Sequence, residues 1–215
     1  MKVILYTAKY CPYSLRARIA LSEKKMMMEV LESNDLSPEI LKKVSPYGVF
    51  PVLQEKDYRT DNKKALLLYI DERFPAPGLL PSIVNDRIKI RFYLEKIDTE
   101  WYPVLQEIKI IKSAKASKTR DAKLKDVFSD FKDSLISMEG VFADDDFFMC
   151  SNFTLADCYI SALLIALEVE GFKIDESFGS IFEYKKRVFA RDSVKKASLN
   201  GNSGDSLLKT IRMHR

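Results

Sequence analysis

Apolar and polar positions change their period along the chain, and the changes mark out its elements. Residues 2–7 (Lys-Val-Ile-Leu-Tyr-Thr) are rich in β-branched and aromatic types and predict a strand ending before Cys11 and Pro12. Pro12 is tolerated in a first helical turn, and Leu15, Ile19, Ala20 and Leu21 then recur at helical spacing up to Lys24 and Lys25. Residues 26–31 predict a second strand. Ser37-Pro38-Glu39 opens a short helix to Val44, closed by the turn residues Ser45-Pro46-Tyr47-Gly48. Residues 51–54 and a partner near Tyr58 predict a hairpin, followed by an amphipathic helix from about Asn62 to Arg73. Phe74-Pro75-Ala76-Pro77-Gly78 cannot continue that helix. Beyond it, apolar residues recur every three or four positions across 83–112, 121–142, 155–169 and 178–190.

The order β-α-β-α-β-β-α is that of a thioredoxin-like domain, so the fold class is α/β followed by all-α. The expected division is a thioredoxin-like domain over 1–75, a linker over 76–82, an α-helical domain over 83–192 and a basic tail over 193–215. Thr154-Leu155-Ala156-Asp157 has the spacing of a capping box: the Thr154 hydroxyl accepts from the Asp157 N–H while the Asp157 carboxylate reaches back. Phe153 is placed to staple that helix entrance against Cys158. Thr154 and Asp157 are therefore structural residues.

Composition narrows the function classes. An apolar fraction of 47% over 215 residues supports a real core and excludes wholesale disorder. A net charge of +4 on 31% charged residues makes a mildly basic surface, without the excess expected of a protein that lives on naked DNA. Cys11, Cys150 and Cys158 lack paired spacing, which fits a reducing cytoplasm. The short run Val3–Tyr6 is broken too early for a signal peptide, and the apolar stretch Leu163–Leu167 is far short of the ~20 residues of a membrane span. His214 is the sole histidine, so no His-based triad or metal site is expected, and Asp144-Asp145-Asp146 is a solvated loop without calcium-loop spacing. Residues 185–215 hold nine Lys or Arg (Lys185, Lys186, Arg187, Arg191, Lys195, Lys196, Lys209, Arg212, Arg215) against Asp192 and Asp205, a net of +7. That tail would face an acidic protein surface or nucleic acid, past a mobile turn at 200–205.

A thioredoxin-like half, a proline-rich linker and a helical half with this capping box resemble a glutathione transferase over roughly the first 190 residues. More closely, Tyr69-Ile70-Asp71-Glu72-Arg73-Phe74-Pro75-Ala76-Pro77, the pair Trp101-Tyr102 and Arg187-Val188-Phe189-Ala190-Arg191-Asp192-Ser193 resemble segments of the stringent starvation protein A family. The first resemblance implies a cis bond at Phe50-Pro51. The second implies a dimer that docks on RNA polymerase and redirects transcription under stress or during infection, without transferase activity. It also implies a homodimer, or a heterodimer with a paralogue such as macrophage growth locus protein A, with guanosine tetraphosphate bound at the dimer interface. No other cofactor is implied. The family's linker pocket is of Pro-His-Pro type; here Phe74, Pro75, Ala76 and Pro77 stand there, without the imidazole.

The rival reading is enzymatic. Cys11-Pro12-Tyr13-Ser14 sits where thiol oxidoreductases of this fold carry two cysteines, and a helix N-terminus with Lys9, Arg16 and Arg18 nearby would favour the nucleophilic thiolate. Ser14 removes the resolving thiol, which leaves monothiol chemistry with glutathione. Glutathione enzymes hold the γ-glutamyl end with an acidic residue followed by Ser, and the corresponding positions are Asn62 and Lys63, followed by Lys64. Losing a charge-assisted bond of about 1.5–3 kcal/mol and adding a like charge would weaken glutathione more than about tenfold. Lys63 and Lys64 beside Tyr13 would instead attract a phosphorylated nucleotide. The preferred expectation is a cytoplasmic, non-enzymatic regulator, with Cys11 as the candidate catalyst of the alternative.

Overall fold

Strand β1 (Val3–Thr7) is buried on both faces, as a near-continuous apolar run in a central strand requires. It pairs in parallel with β2 (Glu29–Glu32) and antiparallel with β3 (Val52–Glu55), with Leu5 opposite Val30 and Leu53. The edge strand β4 (Tyr58–Thr60) completes the order β2-β1-β3-β4. Helices α1 (Pro12–Glu23), α2 (Pro38–Val44) and α3 (Lys63–Arg73) complete a thioredoxin-like unit. Phe50-Pro51 ahead of β3 is cis, and so is Ala76-Pro77. This computed structural model describes residues 3–26 and 29–199; Lys2, Met27 and Met28 of the predicted strands lie outside them.

The second unit is helical: α4 (Val84–Lys96), α5 (Tyr102–Ser113), α6 (Lys118–Ile136), α7 (Glu139–Ala143), α8 (Leu155–Val169) and α9 (Ser180–Ala190). Every residue of α8 from Leu155 to Leu167 is buried, the signature of a helix at the centre of a bundle. Leu80–Ala190 form this unit, and of the described residues those before 80 and after 190 form the first.

Two stretches differ from expectation. The helix predicted over 83–112 is interrupted by a π turn at Ile97–Trp101. Pro103, in the first turn of α5, has no N–H to donate, and its ring would strike the carbonyl four residues back, so the backbone widens. The tail predicted from residue 193 is in part a helix, α10 (Asp192–Leu199), which packs on α1 through buried Val194 and Ala197. Its cations disguise it, because among the described side chains of the helix two apolar ones, Val194 and Ala197, are buried. The remaining tail residues, including the turn at 200–205, Lys209, Arg212, His214 and Arg215, lie outside the described residues.

The capping box at Thr154 and Asp157 forms at both ends, and Asp157 does more than cap. One carboxylate oxygen accepts from the Thr154 N–H (2.7 Å), and the other accepts from the Phe148 N–H (2.9 Å) and the Tyr184 hydroxyl (2.7 Å). One side chain thus ties the loop before α8 and helix α9 to the start of α8. Phe153 makes an edge contact with Phe147.

Burial pushes the Asp157 carboxyl up to about 6 from the usual 3.8, and the hydrogen bonds offset only part of that. A raised folded value means that this stabilisation is complete below the unfolded value and is lost as pH rises through 6. Denaturant unfolding of the wild type and Asp157→Asn should therefore diverge on acidification. From pH 7 to about pH 4.5 the wild type should gain on the order of 2 kcal/mol relative to the variant. A difference that stays flat across that range rules out the raised value.

Candidate functional site

The first candidate site lies where β1 hands over to α1. Cys11 is the N-cap of α1 and partly exposed; its Sγ donates to the Phe50 carbonyl at 3.7 Å, just before cis Pro51. Ser14, in place of a second cysteine, is buried, and its hydroxyl accepts from the Ala8 N–H at 3.1 Å. It holds the loop and is not presented to a substrate. The neighbouring cations each have other engagements: Lys9 stands over the Tyr10 ring, Arg16 donates to the Lys63 carbonyl at 3.2 Å, and buried Arg18 pairs with Glu32 at 2.5 Å. Burial pushes the Arg18 guanidinium down, and the Glu32 carboxylate beside it offsets part of that.

The second part of the cleft is the start of α3, where the resemblance places the γ-glutamyl end of the tripeptide. Asn62 is the N-cap of α3, its side-chain oxygen accepting from the Lys64 and Ala65 N–H groups at 3.1 and 3.0 Å. That oxygen satisfies the helix end, and being neutral it offers no countercharge to an ammonium. The Lys63 ammonium sits 3.9 Å from the Tyr13 ring centroid and the Arg16 guanidinium 4.7 Å, so cations cover the ring. Tyr13 and Lys63 are thus brought together; Lys64 is exposed.

The second candidate site is the linker. Pro75, Ala76, Pro77 and Gly78 are exposed and Phe74 is half-buried. Upstream, buried Glu55 accepts from the Tyr69 hydroxyl and from Arg73 (3.2 and 3.0 Å), which hold its carboxyl below the usual range, and Arg73 stands over the Phe74 ring. Downstream, the buried ammonium of Lys24 donates to the Asp71 carboxylate, the Pro77 carbonyl (2.6 Å) and the Asp71 carbonyl (3.5 Å). The Asp71 carboxylate also accepts from the Leu79 N–H at 2.7 Å, and Leu79 is buried. The exposed prolines are held at both ends.

Next to Lys24, Glu23 receives Arg191 through two bonds (2.9 and 2.7 Å) and the Ser193 hydroxyl, fixing the start of α10. Burial pushes the Glu23 carboxyl up, but these donors outweigh it and hold it below its usual value. Sequence patterning missed this cluster, because Lys24 and Glu23 look like the ordinary charged end of a helix. The only clue was Asp71 and Arg191 falling inside segments shared with a known family. The cations assigned to the tail divide likewise: Lys185 pairs with Glu168, Lys186 with Glu183, and Arg187 donates to the Asp146 carbonyl, while Lys195 and Lys196 are exposed on α10.

Comparison with known proteins agrees with this architecture. The family described as glutathione S-transferase, N-terminal domain, matches residues 5–78. A stringent starvation protein A homolog from Histophilus somni is 33% identical over 193 residues, covering 88% of this chain and 86% of that protein. A homolog of the same description from Coxiella burnetii is 29% identical, covering 94% and 93%. Among solved structures, a Tau class glutathione S-transferase from mango superposes with a TM-score of 0.73 at 26% identity, covering 98% of this chain and 97% of that one.

Removing one member of a buried ion pair costs about 3–5 kcal/mol, because the other is left uncompensated. Lys24→Met should lower the urea midpoint by an amount equivalent to about 3 kcal/mol and speed proteolysis at 74–79. Lys24→Met with Asp71→Leu should recover part of the stability but not the protease resistance, since the Pro77 carbonyl and Leu79 N–H stay unclamped. Equal resistance in wild type and Lys24→Met would show that the clamp does not order the linker.

Proposed function

The chain belongs to the stringent starvation protein A family, and from that premise we propose that it is a non-enzymatic transcription regulator that docks on RNA polymerase holoenzyme. The docking surface is the exposed Pro75-Ala76-Pro77 loop with Phe74 at its base. The observation that carries this reading is the clamp on the loop by Lys24 and Asp71, with two prolines inside it. An apolar surface ordered before the encounter loses little entropy on binding, so even a small contact contributes net affinity. Ala76 supplies no imidazole, which makes docking here a matter of shape and apolar contact without a titrating group. Such a regulator works in the cytoplasm; among the described residues no helix is long and apolar enough to cross a membrane.

The cleft chemistry supports the non-enzymatic half of the proposal. Asn62 caps α3 and lacks the charge an ammonium needs, Lys63 brings a cation to the same end, and the Cys11 thiol is directed at a backbone carbonyl. The same cations suit an anionic nucleotide, and guanosine tetraphosphate at a dimer interface is the ligand we assign to Tyr13, Lys63 and Lys64. Assembly with a second copy or with a paralogue has its own support in Ile83, Val84, Ile88 and Phe92. These apolar side chains are exposed along α4 at helical spacing, where burial against a partner would be favourable.

A second reading rests on one observation: Cys11 remains partly exposed at a helix N-terminus beside cis Pro51, a placement suited to monothiol exchange with glutathione.

Two assays separate the readings. Immobilised polymerase holoenzyme should retain the full chain, and Pro75→Ala with Pro77→Ala should weaken retention about tenfold with only a small fall in melting temperature from the freer unfolded chain. Undiminished retention in that variant moves the docking surface elsewhere. Thiol-transferase turnover with glutathione should stay at background; robust turnover abolished in Cys11→Ser would establish the enzyme instead. Calorimetry with guanosine tetraphosphate on the homodimer and on a paralogue heterodimer should give heat that Lys63→Glu removes, and no heat in either removes the nucleotide.

A further inference from the structure

The modest net charge of the chain conceals a local concentration. Residues 109–125, the end of α5, its loop and the start of α6, hold Lys109, Lys112, Lys115, Lys118, Arg120, Lys123 and Lys125 against Asp121 alone. That is a net of +6 in one hairpin, when all 215 residues together net +4. The rest of the chain is therefore slightly acidic, at −2. Two of the seven are neutralised, Lys112 by Glu170 (3.0 Å) and Arg120 by Asp121 (2.7 Å). Lys109, Lys115, Lys118, Lys123 and Lys125 have no ion pair among the described residues, and all but Lys109 are exposed.

A run of charges is usually a solvated face, and Lys112 in the last turn of α5 fits that, but the cations that open α6 do not. Helix α6 begins at Lys118 with Ser117 as its N-cap, the Ser117 hydroxyl accepting from the Arg120 N–H at 3.1 Å. Cations at the first and third helical positions oppose the positive end of the helix dipole, and each costs a few tenths of a kcal/mol. The last turn of the same 19-residue helix, where cations would be favourable, has none. The helix has its positive charge at the end that local stability disfavours, and violations of a local rule concentrate where a ligand supplies the compensation. Lysine ammoniums and unpaired helical N–H groups then act together on the same anion.

From this placement we propose that the tip of the α5–α6 hairpin contacts the phosphate backbone of a nucleic-acid duplex, without reading its sequence. The residue types favour that partner over other polyanions. Residues 109–125 contain no aromatic side chain on which an unpaired base would stack, and no Asn or Gln to contact base edges. Flexible lysines dispersed on both arms and the loop suit a regularly spaced row of phosphates, whose counterions are released on contact. A lipid surface would need an apolar face to insert, and exposed Ile110 is the one large apolar side chain offered at this tip. The surface belongs to the helical unit and involves none of the linker residues, so it stands or falls separately from polymerase docking.

The test uses the full chain and a short labelled duplex of random sequence, as DNA and as RNA, read by fluorescence anisotropy at about 50 and about 200 mM salt. The wild type should bind at least one duplex with micromolar affinity that falls steeply with salt. Lys115→Glu, Lys118→Glu and Lys123→Glu together should weaken binding more than about tenfold and reduce the logarithmic salt slope by about three. The same charge change at exposed Lys42, Lys43 and Lys56 should have a much smaller effect. The melting temperature of the hairpin variant should be equal or higher, because Lys118→Glu puts an acid where the dipole favours one. Absence of duplex binding, equal weakening by both triple variants, or tighter hairpin-dependent binding to polyglutamate or phosphatidylserine vesicles would overturn the proposal.

Discussion

A buried ammonium is tolerable only when its three protons all find acceptors, because its transfer out of water otherwise costs several kcal/mol. Lys24 meets that condition with the Asp71 carboxylate, the Asp71 carbonyl and the Pro77 carbonyl. Much else in the first unit follows from it. The Asp71 carboxylate, positioned by Lys24, receives the Leu79 N–H, which fixes where the chain leaves the unit. One residue back, Glu23 receives Arg191 and Ser193, which fixes where the chain returns. The last turn of α1 therefore sets both crossings of the backbone. It also gives a loop with four exposed residues and two prolines a fixed point on either side. No apolar core beneath it is required, since the polar acceptors of the loop are themselves the anchors.

On the proposed reading, the cleft keeps its scaffold while its ligand chemistry changes. The Ser14 hydroxyl accepting from Ala8 and the Asn62 cap on α3 each satisfy a backbone N–H, which serves the local fold. The charge on the α3 cap is not a condition of folding. Asn62 caps as well as an aspartate would, so replacement of an acid there costs the fold little and costs an ammonium-bearing ligand its partner. Lys63 goes further by using the exposed face of Tyr13 as a cation platform. Fold and recognition are separable at this site because backbone donors need only an oxygen, whereas the tripeptide's amino end needs a charge.

The same separation governs what could be read from sequence. Strands β1 and β3, helices α1, α3 and α8, and the Thr154–Asp157 box were legible because local period, turn residues and capping chemistry each dictate them within a few residues. The π turn at Ile97–Trp101 was not, since a continuous helical period across 83–112 outweighed the single contrary signal of Pro103. Helix α10 was hidden by its charges: two buried side chains and an ion pair to Glu23, 168 residues away, hold it, and no local window contains that partner. Of the candidate site residues, Tyr13 and Lys63 do meet, but Lys24 and Asp71, which order the linker, could be joined only by the fold. Long-range polar contacts leave no periodic trace.

Averaging has the same effect on charge. A net +4 spread over the chain describes a mildly basic protein, without the excess expected of one that lives on naked DNA. Electrostatic attraction, however, depends on charge within about a Debye length, roughly 8–10 Å at moderate salt, and not on the sum over the molecule. Five lysines without ion pairs among the described residues, spread over one hairpin, form a field of their own, which acids elsewhere on the chain screen only weakly. Those acids still matter at longer range, because they limit how far the protein is drawn to any polyanion in bulk. A surface of this kind gives weak, salt-sensitive contact that contributes once another interaction has brought a duplex close. On physical grounds that suits a protein attached chiefly through its linker, as proposed above.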